Sequence, residues 1–115
     1  MIESYPLCWP EGWKRRPPAR QRRSQFKLTL DAARQDLKYE VAMLGGEGLV
    51  ISTNMPLRKD GEFYASAREP SDPGVAIYFT YKKKPMCFAC DGYPTMRENT
   101  NAIAKTINAL RGIER

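Results

Sequence analysis

The sequence predicts a small α+β sandwich: a three-stranded, mainly antiparallel sheet packed against two helices, in the order α-β-β-β-α, with an extended N-terminal arm. Two observations predict it. Apolar residues recur at intervals of three and four in two segments, and three short strand-like runs lie between those segments. The chain has 115 residues, of which 42% are hydrophobic, a size that suits one globular domain. We therefore divide it into an arm over residues 1–28 and a single α+β domain over residues 29–115.

The first helix is predicted from about Leu30 to Leu44. Its apolar residues recur three and four positions apart and so share one face: Leu30, Ala33, Leu37, Val41 and Leu44. Thr29 or Asp31 is suited to cap the first amides. Gly45-Gly46 supplies a residue for the left-handed conformation that commonly ends a helix.

The second helix is predicted from about Met96 to Arg111. Thr95 and Glu98 have the spacing of a capping box, in which each side chain satisfies a free amide of the first turn. Gly112 is expected to end the helix. The apolar stripe of this helix consists of Met96, Ile103, Ile107 and Leu110.

Three strands are predicted between the helices. Leu49–Thr53 is short and β-branched, Val75–Tyr81 alternates so that its odd-numbered apolar residues share a face, and Met86–Cys90 is a second short apolar run. The link Lys82–Pro85 has the length of a hairpin connection, so the last two strands are expected to pair antiparallel. Residues 54–74 have no periodicity, and connections of this length are often functional.

The second half of the arm carries the basic character of the chain. The net charge is +6, and seven basic residues but no acidic residue lie from Lys14 to Lys27. Removing these seven from 19 leaves 12 basic residues against 13 acidic ones. A separate basic block indicates a surface for phosphate or for an acidic protein. The predicted nucleic-acid-binding residues are Lys14, Arg15, Arg16, Arg20, Arg22, Arg23 and Lys27, together with the lysines of the hairpin link, Lys82, Lys83 and Lys84.

The first half of the arm is apolar and aromatic. Two helices cover only one face of a three-stranded sheet, so the opposite face, where Tyr78 is expected, needs a cover. The arm offers Tyr5, Leu7, Trp9 and Trp13 for this purpose. We therefore expect both tryptophans to anchor the arm on the sheet in the free protein, rather than to serve as stacking platforms for bases.

Catalysis and cofactor binding are not predicted. The chain has no histidine, which excludes histidine-dependent triads and metal sites, and its acidic residues are scattered singly. Cys87 and Cys90 have CxxC spacing, but a strand places residues three apart on opposite faces. Only Cys8 remains as a third cysteine, so structural cysteines are favoured over a zinc site or a redox pair. We expect no enzyme activity, no cofactor and no metal.

The compartment is also indicated by the composition. No apolar run approaches the roughly 20 residues that a membrane-spanning helix requires. The N-terminus has no basic segment ahead of an apolar stretch, and three cysteines are an odd number. We therefore expect a cytoplasmic protein without membrane contact.

Five stretches, spread over nearly the whole chain, carry a resemblance to known proteins: Tyr5–Arg15, Val50–Arg58, Pro70–Phe79, Asn101–Ala104 and Leu110–Arg115. They resemble a family of small bacteriophage and mobile-element proteins that often carry a J domain after this region. The resemblance implies a phage or prophage origin and a bacterial host cell. A J domain acts through a His-Pro-Asp loop, which this chain lacks, so co-chaperone activity is not carried over to these residues.

Two functions are consistent with these features. The leading hypothesis is a non-catalytic module that binds DNA or RNA through the phosphates. The alternative is a protein–protein adaptor, such as the accessory region of a J-domain co-chaperone or a phage factor that binds a host protein. Salt separates them, because phosphate binding weakens steeply with salt whereas an apolar interface does not.

Overall fold

The computed structural model describes residues 2–16, 29–60, 63 and 70–114 of the chain. Its elements are α1 (Leu30–Leu44), β1 (Glu47–Thr53), β2 (Val75–Tyr81), β3 (Lys84–Cys90) and α2 (Met96–Glu114). The three strands form one antiparallel sheet in the order β1-β2-β3. The predicted α+β class and the α-β-β-β-α order are therefore confirmed.

The helix α1 begins and ends at the predicted residues. The hydroxyl oxygen of Thr29 accepts a hydrogen bond from a first-turn amide at 3.1 Å, and Gly45 ends the helix with a φ of 99°. A Cβ atom on Gly46 would lie 2.7 Å from Val41 Cγ1 and 2.8 Å from Phe79 Cδ2. The first glycine thus ends the helix, and the second lets the chain leave it in close contact with the core.

The helix α2 begins at the predicted capping box but ends later than predicted. Thr95 Oγ1 accepts a hydrogen bond from the Glu98 amide at 3.3 Å, and the Thr95 hydroxyl donates to the Glu98 carboxylate at 2.7 Å. The helix continues through Gly112 to Glu114, so the predicted stop is wrong. A glycine permits the left-handed conformation without requiring it, and Gly112 remains helical.

The core lies between one face of the sheet and the two helices. It is formed by Val75, Ile77 and Phe79 of β2, Ile51 of β1, Leu37 and Val41 of α1, and Met96, Ile103 and Ile107 of α2. Between the helices, the Glu40 carboxylate of α1 accepts hydrogen bonds from Arg111 and Asn108 of α2. The predicted stripe of α1 therefore faces the core, as do Met96, Ile103 and Ile107 of α2, whereas Leu110 of the predicted α2 stripe is half-buried and lies outside the core cluster. A polar cluster also joins the helices.

The strand β2 has the predicted bounds, whereas β1 and β3 each begin two residues earlier than the sequence predicted. β3 begins at Lys84, so the hairpin turn consists of Lys82 and Lys83 alone rather than the link Lys82–Pro85. Both turn residues have positive φ, 51° and 66°. This is the backbone of a two-residue turn that matches the twist of the strands. β1 begins at Glu47, with an irregular register between that residue and Val50.

Candidate functional site

The first half of the arm lies over the face of the sheet that the helices leave uncovered. At β1, the Ser4 carbonyl accepts a hydrogen bond from the Thr53 amide at 2.9 Å, and Ser52 Oγ accepts one from the Cys8 amide at 2.8 Å. At β2, the Tyr78 hydroxyl donates to the Cys8 carbonyl. The arm therefore covers the second face as predicted, and Tyr78 lies on that face.

The two cysteines of the CxxC motif face opposite sides of β3, as predicted. Cys87 pairs in register with Tyr78 and so lies on the arm side. Burial, together with the neighbouring Cys8 and Cys87, raises the pKa of the Tyr78 hydroxyl, which keeps it protonated as a donor. Cys90 lies on the helix side, where its thiol donates to Asn99 Oδ1 at 3.3 Å. Among the described residues, no group of three or more His, Cys, Asp or Glu side chains could hold a metal ion.

Trp9 anchors the arm at the start of β2. Its indole Nε1 donates to the Trp13 carbonyl at 2.8 Å, and the Arg15 guanidinium stacks on its ring, 4.4 Å from the centroid. A Cβ atom on Gly74 would lie 3.2 Å from this ring, so the indole packs directly on the backbone. The anchoring role predicted for Trp9 is confirmed. Trp13 fulfils it only in part, because it remains 42% exposed.

Arg15, which we predicted to contact phosphate, is engaged within the protein. Its Nε donates to Asp91 Oδ2 at 2.8 Å, and its Nη2 pairs with Asp72. Asp91 is buried and also accepts the Arg16 amide at 2.8 Å. Partial burial lowers the pKa of Arg15, but the hydrogen bonds and charges of the two carboxylates outweigh it and raise that pKa. Arg15 therefore holds the arm against the end of the sheet through its two carboxylate partners.

The two ends of the connection over residues 54–74 form a clamp for the arm. Asp72 accepts hydrogen bonds from the Gly74 amide and from Asn54 Nδ2, both at 3.1 Å. Asn54 Oδ1 in turn accepts the Leu7 amide at 3.0 Å. Partial burial raises the pKa of Asp72, yet the hydrogen bonds from Arg15 and Gly74 outweigh it and hold that pKa below its ordinary value. The carboxylate therefore remains charged at neutral pH and retains its ion pair with Arg15 of the arm.

Beyond this clamp, the arm forms one wall of a cleft of about 510 Å³. The arm contributes Trp9, Trp13, Lys14, Arg15 and Arg16, and residues 89–93 with Ala102 of α2 form the other wall. Lys14 and Arg16 are exposed and make no ion pair with any residue in the described ranges. The Arg16 guanidinium lies beside Gly92 of the opposite wall. The cleft thus combines two exposed cations that have no carboxylate partner among the described residues with two tryptophans and a tyrosine.

The structure brings together only some of the predicted basic residues. Lys14, Arg15 and Arg16 meet at the cleft. Lys82, Lys83 and Lys84 lie at the hairpin turn, and the length of β3, about 20 Å, separates them from Asp91 and Gly92, beside which Arg16 lies. Arg20, Arg22, Arg23 and Lys27 lie outside the described residues.

Sequence reasoning missed Asp91, which lines the cleft, and two polar residues that hydrogen-bond to its lining residues, Asp72 and Asn99. Asn99 is fully buried, and its amide group joins α2 to the Pro73 carbonyl at 2.8 Å and to the Tyr93 backbone at 3.0 and 3.1 Å. The sequence offered only a weak signal for the two aspartates, because Asp72-Pro73-Gly74 and Asp91-Gly92 are patterns typical of turns in general.

Comparisons with protein-family models, with curated proteins and with solved structures gave no match. Within the described parts of the chain, neither helix is long and apolar enough to cross a membrane. The functional interpretation therefore depends on the geometry of the cleft and the charge of the arm.

Proposed function

We propose that this chain is a non-catalytic module of phage or mobile-element origin that binds nucleic acid through its basic arm. One observation carries the proposal: Lys14 and Arg16, which are exposed and make no ion pair with another described residue, line one cleft together with the partly exposed Trp13. Cations of this kind neutralise phosphates and release counterions, and aromatic rings contact bases. In this arrangement the cations can bind the phosphate of a nucleotide, and the aromatic side chain can contact its base.

The ion pairs of Arg15 with Asp72 and Asp91 leave fewer arm residues available to contact phosphate. Because its guanidinium is held by two carboxylates, Lys14 and Arg16 are the exposed cations of the cleft that make no ion pair with another described residue. In our proposal, the basic residues further along the arm add positive charge for phosphate binding: Arg20, Arg22, Arg23 and Lys27. The remainder of the chain has nearly balanced charge, so electrostatic attraction is concentrated in the arm.

The proposal is tested by removing charge from the arm and from the hairpin separately. Binding of an oligonucleotide is measured by anisotropy at salt concentrations from about 50 to about 200 mM. The Lys14→Gln and Arg16→Gln double variant should bind more weakly, with a salt slope that falls by about 0.7–0.9 per lost phosphate contact. The matched control, Lys83→Gln with Lys84→Gln, removes the same charge about 20 Å away and should retain the wild-type slope.

A second variant addresses the rest of the arm. Changing Arg20, Arg22 and Arg23 to Ala should weaken binding to any sequence and flatten the salt slope, while the melting temperature stays nearly unchanged. Failure of the wild-type protein to bind, or unchanged affinity in both arm variants, contradicts the proposal. Salt-independent binding to a protein partner instead supports the adaptor alternative.

A further inference from the structure

We infer that the cleft accepts an unpaired base on Trp13, so that the preferred ligand is a single-stranded nucleic acid. This inference depends on the proposed nucleic-acid binding and specifies the form of the nucleic acid. It is carried by the way the protein presents Trp13 and by the shape of the surface around that side chain.

The backbone of Trp13 is fixed before any ligand arrives. Its amide donates to the Pro10 carbonyl at 3.2 Å, and its carbonyl accepts Trp9 Nε1 at 2.8 Å. Trp9 is in turn held between the Arg15 guanidinium and the Gly74 backbone. Trp13 is nevertheless 42% exposed and lies outside the hydrophobic core cluster. Because the backbone of Trp13 is already held, little backbone freedom is lost when a ligand binds to this side chain, which favours affinity.

The space beside this ring matches one nucleotide better than a duplex. A volume of about 510 Å³ lies within the range of about 300–1,000 Å³ that is usual for small-ligand sites. Tyr93 belongs to the opposite wall, so aromatic surface borders both sides of the cleft. Lys14 and Arg16 lie on the arm side, where the phosphates that flank a bound base would pass.

The concave shape argues against a base-paired ligand. Bases in a duplex are stacked on one another, so their faces are hidden and only their edges remain accessible in the grooves. Proteins that read those edges insert a protruding helix or β-ribbon into a groove. Trp13 instead borders a recess, where only a base free of its stack can lie against the ring.

The inference is tested with the full chain and matched oligonucleotides. Affinities are measured for single-stranded DNA, single-stranded RNA and a DNA duplex of equal length. We expect single strands to bind about tenfold more tightly than the duplex, as the gain from one stacked base. Trp13→Ala should remove this preference and Trp13→Phe should keep most of it. Tyr39→Ala changes another exposed aromatic residue, on α1, and should leave binding unchanged.

A measurement on the unaltered protein guards against a folding defect in the variants. A photoreactive single-stranded oligonucleotide should cross-link to Trp13 or Tyr93, as identified by mass spectrometry. Equal binding of single strands and duplex, or adducts confined to residues outside the cleft, overturns the inference while leaving phosphate binding in place. Absence of binding to all three oligonucleotides overturns the proposed function itself. DNA and RNA are distinguished by their relative affinities, since only RNA offers a 2′-hydroxyl.

Discussion

The carboxylate of Asp72 accepts hydrogen bonds from Arg15 of the arm, from Asn54 after β1 and from the Gly74 amide before β2. These bonds with Arg15 and Gly74 outweigh the effect of partial burial and hold the pKa of Asp72 below its ordinary value. The ordinary pKa of an aspartate, about 4, applies to Asp72 in the unfolded chain. At pH values below it, the unfolded chain therefore binds a proton at Asp72 more readily than the folded protein does. The stabilising contribution of the carboxylate is therefore complete above about pH 4 and is lost as the pH falls toward the lowered value.

We expect Asp72→Asn to melt below the wild-type protein at neutral pH, with a difference in Tm that shrinks as the solution is acidified. The comparison is made by thermal denaturation from pH 7 to about pH 3, across the range in which a carboxyl titrates. Asp60→Asn serves as a control, because this carboxylate is 50% exposed and pairs with Arg58, which lies two residues away in the sequence. A difference in Tm that stays constant with pH contradicts this account.

Two glycines provide opposite tests of local packing. A Cβ at Gly46 would lie 2.7 Å from Val41 Cγ1 and 2.8 Å from Phe79 Cδ2, so Gly46→Ala should destabilise the protein by about 1–3 kcal/mol. Gly112 is helical and has open space around it, so Gly112→Ala should stabilise by about 0.5–1 kcal/mol. Urea denaturation of both variants measures these changes. The same sign of change in the two variants contradicts the packing described here.

Arg15 shows what could not be predicted at the scale of a residue. Its partners Asp72 and Asp91 lie 57 and 76 positions further along the chain. The sequence from Lys14 to Lys27 contains seven basic residues and no acidic residue. From this local pattern alone, the arginines of the arm cannot be told apart. Their separation into one anchor and exposed neighbours arises only when the arm meets the end of the sheet.

At the scale of elements, the hairpin turn holds two lysines in a conformation that disfavours them. Lys82 and Lys83 have φ values of 51° and 66°, and this conformation costs a side-chain-bearing residue roughly 1–2 kcal/mol. Asn-Gly is the preferred pair for such a turn. Lys82→Asn combined with Lys83→Gly should therefore stabilise the protein by about 1 kcal/mol after loss of the contact between Lys82 and the Tyr81 ring.

Chemical denaturation measures the change in the free energy of unfolding, and Lys59→Asn is a control for the loss of an exposed lysine in another turn. A double variant that is less stable than the wild-type protein contradicts this interpretation of the turn.

Both helices were predictable because their signals are local. Caps and stripes lie within a few residues of one another, and the structure reproduces the start of each helix at Leu30 and Met96. The ends of the strands were not predictable in this way. Glu47, Lys84 and Pro85 are polar or strand-disfavouring residues, and they become part of the sheet through pairing with β2.

At the scale of the whole molecule, the arm and the body depend on one another. The arm covers the second face of the sheet, where Ala76 is fully buried, and the clamp around Asp72 closes over the arm. The same docking places Lys14 and Arg16 at the cleft. The face that needed a cover was visible in the sequence, whereas the cleft was not, because its two walls come from the arm and from residues 89–102.

Removal of residues 1–13 tests this mutual dependence. The truncation deletes Trp9, and burial of one such ring contributes about 2–3 kcal/mol, so the Tm should fall by about 10 °C. It also uncovers the arm side of β2 and should therefore increase the binding of a hydrophobic dye. Removal of residues 1–3 is the control, because Ile2 and Glu3 are exposed and this shorter truncation leaves Ser4 and the clamp intact. If both truncated proteins melt at the wild-type temperature, the arm does not stabilise the sheet. The aromatic residues would then be free for a ligand, and the fixed backbone position of Trp13, on which the inferred base stacking depends, would lose its physical basis.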